Sequence, residues 1–341
     1  MADSISFARY AIIRGQLKRA RKIISECCGD GQIRFEFLDE QLPVYYSVVK
    51  WHAQRNLAIF SLGYLGDAVP QERKEYFTNR LLCTLPLIVQ YHRKGREQDS
   101  IFISLDDSEA SPGLSFCTNS NDQFLIPDPD FLTSRGYKAF RQQLARDQLP
   151  WEQRHPMVFW RGATSGIRLG DGWRTLPRIR LCEIACSSDF FDVGIARIVQ
   201  VSEQEALEIN SSGLMWDEVP AITFADYRVQ IDIDGNANSW SGLFRKLLTN
   251  SPVLKVDSPH NFRQWYYKHL VPWENYVPVE SDMSDLVEKA RWLIAHDDMA
   301  RQIGSRGAEL AEAITYEAAL QSGVITIEEA IRQTRKTVLE N

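Results

Sequence analysis

The segment Tyr227-Arg228-Val229-Gln230-Ile231-Asp232-Ile233-Asp234-Gly235-Asn236-Ala237-Asn238-Ser239-Trp240, continued to Ser251-Pro252-Val253-Leu254-Lys255-Val256, decides the fold class. Residues 227–233 alternate apolar and polar side chains, as a half-buried strand does. Asp234-Gly235-Asn236-Ala237-Asn238 is a cluster of turn formers. Residues 239–249 read as a helix and 251–256 as a second strand. Strand, helix and strand in one short span predict parallel pairing with the helix as crossover. Upstream, Met157-Val158-Phe159-Trp160 reads as a strand, Arg161-Gly162-Ala163-Thr164-Ser165-Gly166 as a small-residue turn, and 176–187 as a helix. Downstream, 284–296 and 298–313 are patterned as helices, with Asp285 and Glu288 spaced to cap the first. The alternation predicts an α/β chain with parallel sheets.

The first half is less regular. A basic helix is expected over 5–28, with Ile5, Ile12, Ile13, Leu17 and Ile24 on one face and Arg9, Arg14, Lys18 and Arg19 elsewhere. It has two readings. It can touch an anionic membrane or glycolipid, or it can pack on its own domain with the basic face in water. Helices are expected over 47–66 and 72–95. Ser100-Ile101-Phe102-Ile103-Ser104-Leu105 reads as a strand that ends in Asp106-Asp107-Ser108. Leu114–Cys117 and Phe124–Pro129 follow as strand candidates, and 133–156 as a polar, helical connector ending at His155-Pro156. The expected domains are 1–150 and 151–313, with a helix over 314–341 packing back on the first.

Composition narrows the function. The chain has 341 residues, 44% apolar and 25% charged, which excludes disorder or a fibrous repeat as its main state. A net charge of −6 weighs against a protein that coats nucleic acid. No segment reaches the ~18 unbroken apolar residues that a membrane span requires. Arg9 and Arg14 interrupt any apolar leader, so a cytoplasmic protein is expected, with peripheral contact at an inner membrane through the basic helix as the second reading. The six cysteines form no C-x-x-C. Cys182 and Cys186 share a helix face with only His155 nearby, which is too few ligands for zinc. Reduced structural thiols are expected, and no metal.

Three loops at strand ends carry candidate chemistry: Ser104–Asp107, Trp160–Ser165 and Asp234–Trp240. Ligands of open α/β sheets sit at such carboxyl ends. Asp232-x-Asp234 fits either a metal–nucleotide pair or a strand residue followed by a turn-initiating Asp; the turn reading is preferred. The chain has no P-loop, G-x-G-x-x-G, H-E-x-x-H or G-x-S-x-G, which argues against ATPase, dehydrogenase, zinc protease and serine hydrolase chemistry.

Taken in order, Phe159-Trp160-Arg161-Gly162, Pro177-Arg178, Ile231–Trp240, Leu247–Lys255, Gln264-Trp265-Tyr266-Tyr267 and Leu270–Val279 resemble glycosyltransferase family 90 over residues 100–313. That family includes secretory protein O-glucosyltransferases, fungal capsule-associated proteins and bacterial lipopolysaccharide-modifying enzymes. The resemblance implies a GT-B-like fold, two Rossmann-like domains with parallel sheets facing across a cleft. It implies a UDP-sugar donor, usually glucose or xylose, with inversion and no metal; beyond that donor substrate no cofactor is expected. Asp107 matches the family's base, with Asp106 as its neighbour where the secretory enzymes carry Arg. Arg178 is similar to the Arg that contacts the donor diphosphate, with Arg180 as a rival. The secretory enzymes carry another Arg directly after the Ser-aromatic pair, whereas here Ser239-Trp240 precedes Ser241-Gly242 and the next Arg is Arg245. Either Arg245 takes that place or Arg161 carries the charge. Arg161, Gly162, Thr164, Arg178, Ser239 and Arg245 are thus expected at the diphosphate. Asp234, Gly235 and Trp240 are expected to shape the donor loop, and Lys255 and Pro278 to serve packing. The expected acceptor is a hydroxyl of a surface glycan or glycolipid, such as a lipopolysaccharide or capsule precursor. The alternatives are an inactive glycan-binding or scaffolding protein and a protein O-glycosyltransferase.

Overall fold

A computed structural model describes residues 15, 18–20, 22–23, 34–39, 42, 46–52, 57–64, 68–93, 100–106, 113–120 and 123–340. Most of the basic segment 5–28 lies outside these; residues 15, 18–20, 22 and 23 are helical. The chain divides into two compact units, residues 1–133 with 316–341, and residues 134–315.

The first unit holds a six-stranded sheet in the order β1-β3-β2-β4-β5-β7. These strands are β1 (Arg34–Asp39), β2 (Tyr46–His52), β3 (Leu57–Leu62), β4 (Ser100–Ser104), β5 (Gly113–Ser115) and β7 (Gln123–Leu125); β6 is the two-residue Cys117–Thr118. The sheet is mixed rather than parallel, because β2 runs antiparallel to both β3 and β4. The helix expected over 47–66 is therefore a pair of strands. Val48, Val49, Ala58, Phe60 and Leu62 are all buried, and a run buried on both faces lacks the alternation that marks a strand. Helices α1 (Gln71–Cys83), α2 (Leu85–His92) and α3 (Pro129–Thr133) belong to this unit, and the long terminal helix (Tyr316–Glu340) packs on α2 and across β4, β5 and β7. A Cβ on Gly323 would come within 2.7 Å of Leu87, so glycine permits the close approach of that helix to α2.

The second unit begins earlier than the expected residue 151. Its α4 (Lys138–Asp147) is tied there by Arg141, which donates to the carbonyls of Ala311 (2.8 Å) and Ile314 (3.2 Å) and pairs with Glu312 at 2.5 Å. Five strands follow: β8 (His155–Ala163), β9 (Phe191–Arg197), β10 (Tyr227–Asp232), β11 (Val253–Val256) and β13 (Val277–Val279), with β12 the short Arg263–Gln264. They form an all-parallel sheet in the order β13-β11-β10-β8-β9. Helices α5 (Pro177–Ala185), α6 (Glu203–Ser211), α7 (Ser241–Leu248), α8 (Leu286–Ala295) and α9 (Asp297–Ala313) complete it, and the terminal helix of the first unit is α10. Pro177 opens α5, where a missing N–H costs nothing. Val158, Trp160, Ile179, Val229, Ile231, Leu254, Val277 and Leu293 share one core. The capping pair at α8 does not form. The Asp285 carboxylate accepts from the Glu280 amide and pairs with Lys289 instead. The chain is α/β, and of the two large sheets only that of the second unit is all-parallel, so the expected pair of parallel sheets is found in one unit alone.

Candidate active site

From β8 the second sheet grows to one side through β9 and then reverses to the other through β10 and β11. The crevice between β8 and β10, at their carboxyl ends, is the topological switch point where open α/β sheets bind ligands. A pocket of about 210 Å³ lies there. Its walls are Trp160, Arg161 and Gly162 from β8, Arg178 from α5, Ile233 after β10, Ala221 and Phe224, and Ser239, Ser241, Gly242, Arg245 and Lys246 around the start of α7.

The cations of this pocket differ in what they hold. Arg178 bridges the two strand-end loops. It donates to Asp234 O (3.0 Å), Ala163 O (3.3 Å), Ile233 O (3.2 Å) and Ser165 Oγ (2.9 Å). Burial lowers its pKa, and Asp232 and Asp234 act the other way. Arg161 is engaged by Asp192, with further bonds to the carbonyls of Trp160 (3.0 Å) and Asp192 (2.9 Å). Tyr227 donates to the other Asp192 oxygen at 2.5 Å. Lys246 pairs with the buried Asp232 at 2.8 Å. Burial pushes the Asp232 carboxyl up, but Lys246 and Lys255 outweigh it and hold the pKa below the usual value. Arg245 is different. Its guanidinium lies 5.2 Å from the Tyr137 ring, its buried Nε has no hydrogen-bond partner, and among the described residues it has no carboxylate partner. Among the described residues its charge is left for a ligand, whereas Arg161 and Lys246 are each paired with a carboxylate.

The other expected site residues separate. Gly162 lines the pocket, where a Cβ would meet the Trp160 ring at 2.5 Å. Thr164 is fully buried, outside the pocket walls. It ties β8 to the end of β9, donating to Val199 O (2.7 Å) and accepting from the Val199 amide (2.8 Å). Ser239 lines the pocket, but its hydroxyl donates to Asp232 (3.0 Å) and accepts from the Leu243 amide (3.1 Å). Trp240 holds φ 49°, ψ −118°, strained for a residue with a Cβ, and its amide donates to Asn238 Oδ1 at 2.6 Å. Asp234 and Gly235 line a separate cavity of about 20 Å³ beside Ser258 and His260. Burial raises the Asp234 carboxyl to about 6 against the pull of Lys255 and Ser258. Lys255 is buried, its ammonium 5.0 Å from the Tyr267 ring. Arg180 is not among the pocket walls. Asp107 lies outside the described residues. Asp106 pairs with Arg73 at 3.3 Å. Among the described residues no group of three or more His, Cys, Asp or Glu could hold a metal ion. Cys83, Cys182 and Cys186 are free thiols. No helix among the described residues is long and apolar enough to cross a membrane.

Sequence reading missed Lys246, Phe224 and the β9–α6 stretch. Lys246 beside Arg245 reads as a solvated helix face. A signal for α6 was present in Ser202…Glu205, which form a capping box.

A model of glycosyl transferase family 90 matches residues 82–318. Protein O-glucosyltransferase 2 of Danio rerio is 28% identical over 210 residues, 59% of this chain and 39% of that protein. Protein O-glucosyltransferase 3 of Homo sapiens is 28% identical over 162 residues, 47% and 29% of the two chains. This chain thus covers well under half the length of these relatives. Among solved structures, sucrose-phosphate synthase from Thermosynechococcus elongatus superposes with TM-score 0.38 and 11% identity over 89% of this chain and 88% of that one. Anabaena HepE in complex with UDP-glucose gives TM-score 0.33 and 12% identity over 59% and 52%.

Proposed function

We propose, from the premise that the chain belongs to glycosyl transferase family 90, that this glycosyltransferase moves glucose or xylose from a UDP-sugar to a hydroxyl of a surface glycan, with inversion and without metal. The observation that carries the reading is the unpaired Arg245 guanidinium in a pocket at the switch point of the parallel sheet. UDP leaves with new negative charge on its β-phosphate. A fixed guanidinium and the positive end of α7, whose Ser241 and Gly242 line the same pocket, stabilise that charge where it develops. Arg178, one of whose five N–H groups is not used by the loops, adds a second fixed donor. The acceptor hydroxyl is a poor nucleophile until a carboxylate takes its proton, the role assigned to Asp107. The names of the relatives favour a second acceptor class, a protein hydroxyl.

Titration calorimetry with UDP tests the donor. Equal affinity with and without EDTA is expected, because Asp232 is already held by Lys246 and Ser239. Loss of binding in EDTA would restore the metal–nucleotide reading of Asp232 and Asp234. UDP release on adding a glycan or an unfolded peptide then separates the acceptor classes, and release with neither marks an inactive binder.

The arginines divide the same experiment. Arg245→Ala lowers UDP affinity by about 10–150-fold, the equivalent of ~1.5–3 kcal/mol for a charge-assisted bond, with unfolding unchanged. Arg178→Ala loses affinity and stability together, since four bonds between the loops go with it. Arg180→Ala changes neither. If Arg180→Ala is the worst of the three, the pocket is not the donor site.

A further inference from the structure

Trp216 stands 52% exposed beside the pocket. Its amide donates to Ile195 O at 2.8 Å, which fixes its backbone to the edge strand β9. A Cβ on Gly194 would sit 1.9 Å from Trp216 Cδ1, so the ring rests on the strand backbone itself. The Arg161 guanidinium lies 4.6 Å from the ring centroid. Arg161 and Gly194 are cross-strand partners and project from the same face of the sheet, so both lie beneath one face of the indole. Half of the residue's surface nevertheless stays in solvent. Arg161 is also a wall of the pocket, and the chain runs from Trp216 through exposed Asp217 and Glu218 to Ala221 and Phe224, two further walls.

We infer that the outer face of Trp216 is a stacking platform for a sugar ring of the acceptor glycan, next to the donor pocket. The inference rests on the glycosyltransferase reading above. An indole held flat in advance loses little freedom on binding, and its electron-rich face attracts the C–H face of a pyranose. The neighbouring charges select the occupant. Asp217 and Glu218 accept hydrogen bonds from sugar hydroxyls and repel phosphates, and the one cation under the ring is already neutralised by Asp192. A neutral glycan fits this surface, whereas a nucleotide or an anionic lipid does not.

The test uses cellotetraose as probe, saturation-transfer NMR for binding, and UDP calorimetry in parallel. The wild-type chain is expected to bind the tetrasaccharide, Trp216→Ala to weaken it about tenfold, and Trp216→Phe to keep most of it. UDP affinity is expected to stay unchanged in both variants. Trp216→Ala binding as well as wild type, or no wild-type binding at 10 mM probe (roughly −2.7 kcal/mol by affinity arithmetic), overturns the platform. A tenfold loss of UDP affinity in Trp216→Ala with the sugar unaffected also overturns it, in favour of a nucleobase platform. Failure of wild-type UDP binding would instead strike the donor reading, which the sugar arm does not touch.

Discussion

Asp107→Asn lowers sugar transfer by about 10²–10⁴-fold and leaves UDP affinity where it was. Asparagine keeps the size of aspartate but cannot take the proton of the acceptor hydroxyl. Without that step the oxygen must attack while still protonated, and the barrier rises by about 3–5 kcal/mol. Asp106→Asn is far milder, and the structure supplies a reason that the sequence did not. Strand alternation does not separate the two carboxylates, because β4 ends at Ser104, before either of them. Asp106 is instead engaged by Arg73, whose guanidinium donates to one of its oxygens at 3.3 Å and competes with an acceptor hydroxyl for it. Initial rates of transfer and UDP calorimetry on both variants check this. A dead Asp106→Asn with an active Asp107→Asn shifts the base by one residue, and two active variants place it elsewhere.

Lys246→Met removes about 3–5 kcal/mol of stability, read by urea unfolding at pH 8. Asp232 is fully buried, and in the wild-type chain Lys246 meets it at 2.8 Å while Ser239 donates to its other oxygen at 3.0 Å. Removing the ammonium leaves a buried carboxylate that Lys255 compensates only at longer range. The sign with pH follows. In the wild-type chain the depressed pKa of Asp232 contributes stability above the ordinary value of 3.8, and that contribution is lost as pH falls below it. In Lys246→Met the carboxyl pKa rises, so the deficit is greatest at high pH and shrinks as protonation relieves the charge. The double variant Lys246→Met with Asp232→Leu recovers most of the loss, because no uncompensated charge remains. A deficit independent of pH, or no recovery in the double variant, would mean that packing around Lys246 sets its value and not the ion pair.

The second unit was legible because its strands and helices keep clean periods. Residues 227–256 read as strand, turn, helix and strand, and fold so. The pair β2 and β3 was not legible, since Val48, Val49, Phe60 and Leu62 sit in runs that satisfy a helix as well as a buried strand. Strand β9 was hidden for another reason. Phe191-Asp192-Val193-Gly194-Ile195 carries two residues that strands avoid, and both are explained only by partners distant in sequence. Asp192 is neutralised by Arg161 and accepts from the Tyr227 hydroxyl, and Gly194 makes room for Trp216. At the site, Arg245 and Arg178 were visible as cations near a turn. Their difference was not, because which arginine is consumed by carbonyls and which is left with only aromatic neighbours depends on atoms from five segments. Thr164 and Ser239 illustrate the same limit, since their hydroxyls serve the scaffold.

The return of α10 to the first unit sets an order of events during synthesis. Residues 134–315 lie between the two halves of that unit, and at about 5–20 residues per second they take on the order of 10–40 s to be made. The second unit is then whole while the first still waits for its last helix, with the α2 surface around Leu87 and one face of β4, β5 and β7 uncovered. For this chain the usual N-terminal-first sequence is reversed. The unit translated first finishes last, and through that interval its bare apolar face is the surface a ribosome-associated holdase would meet.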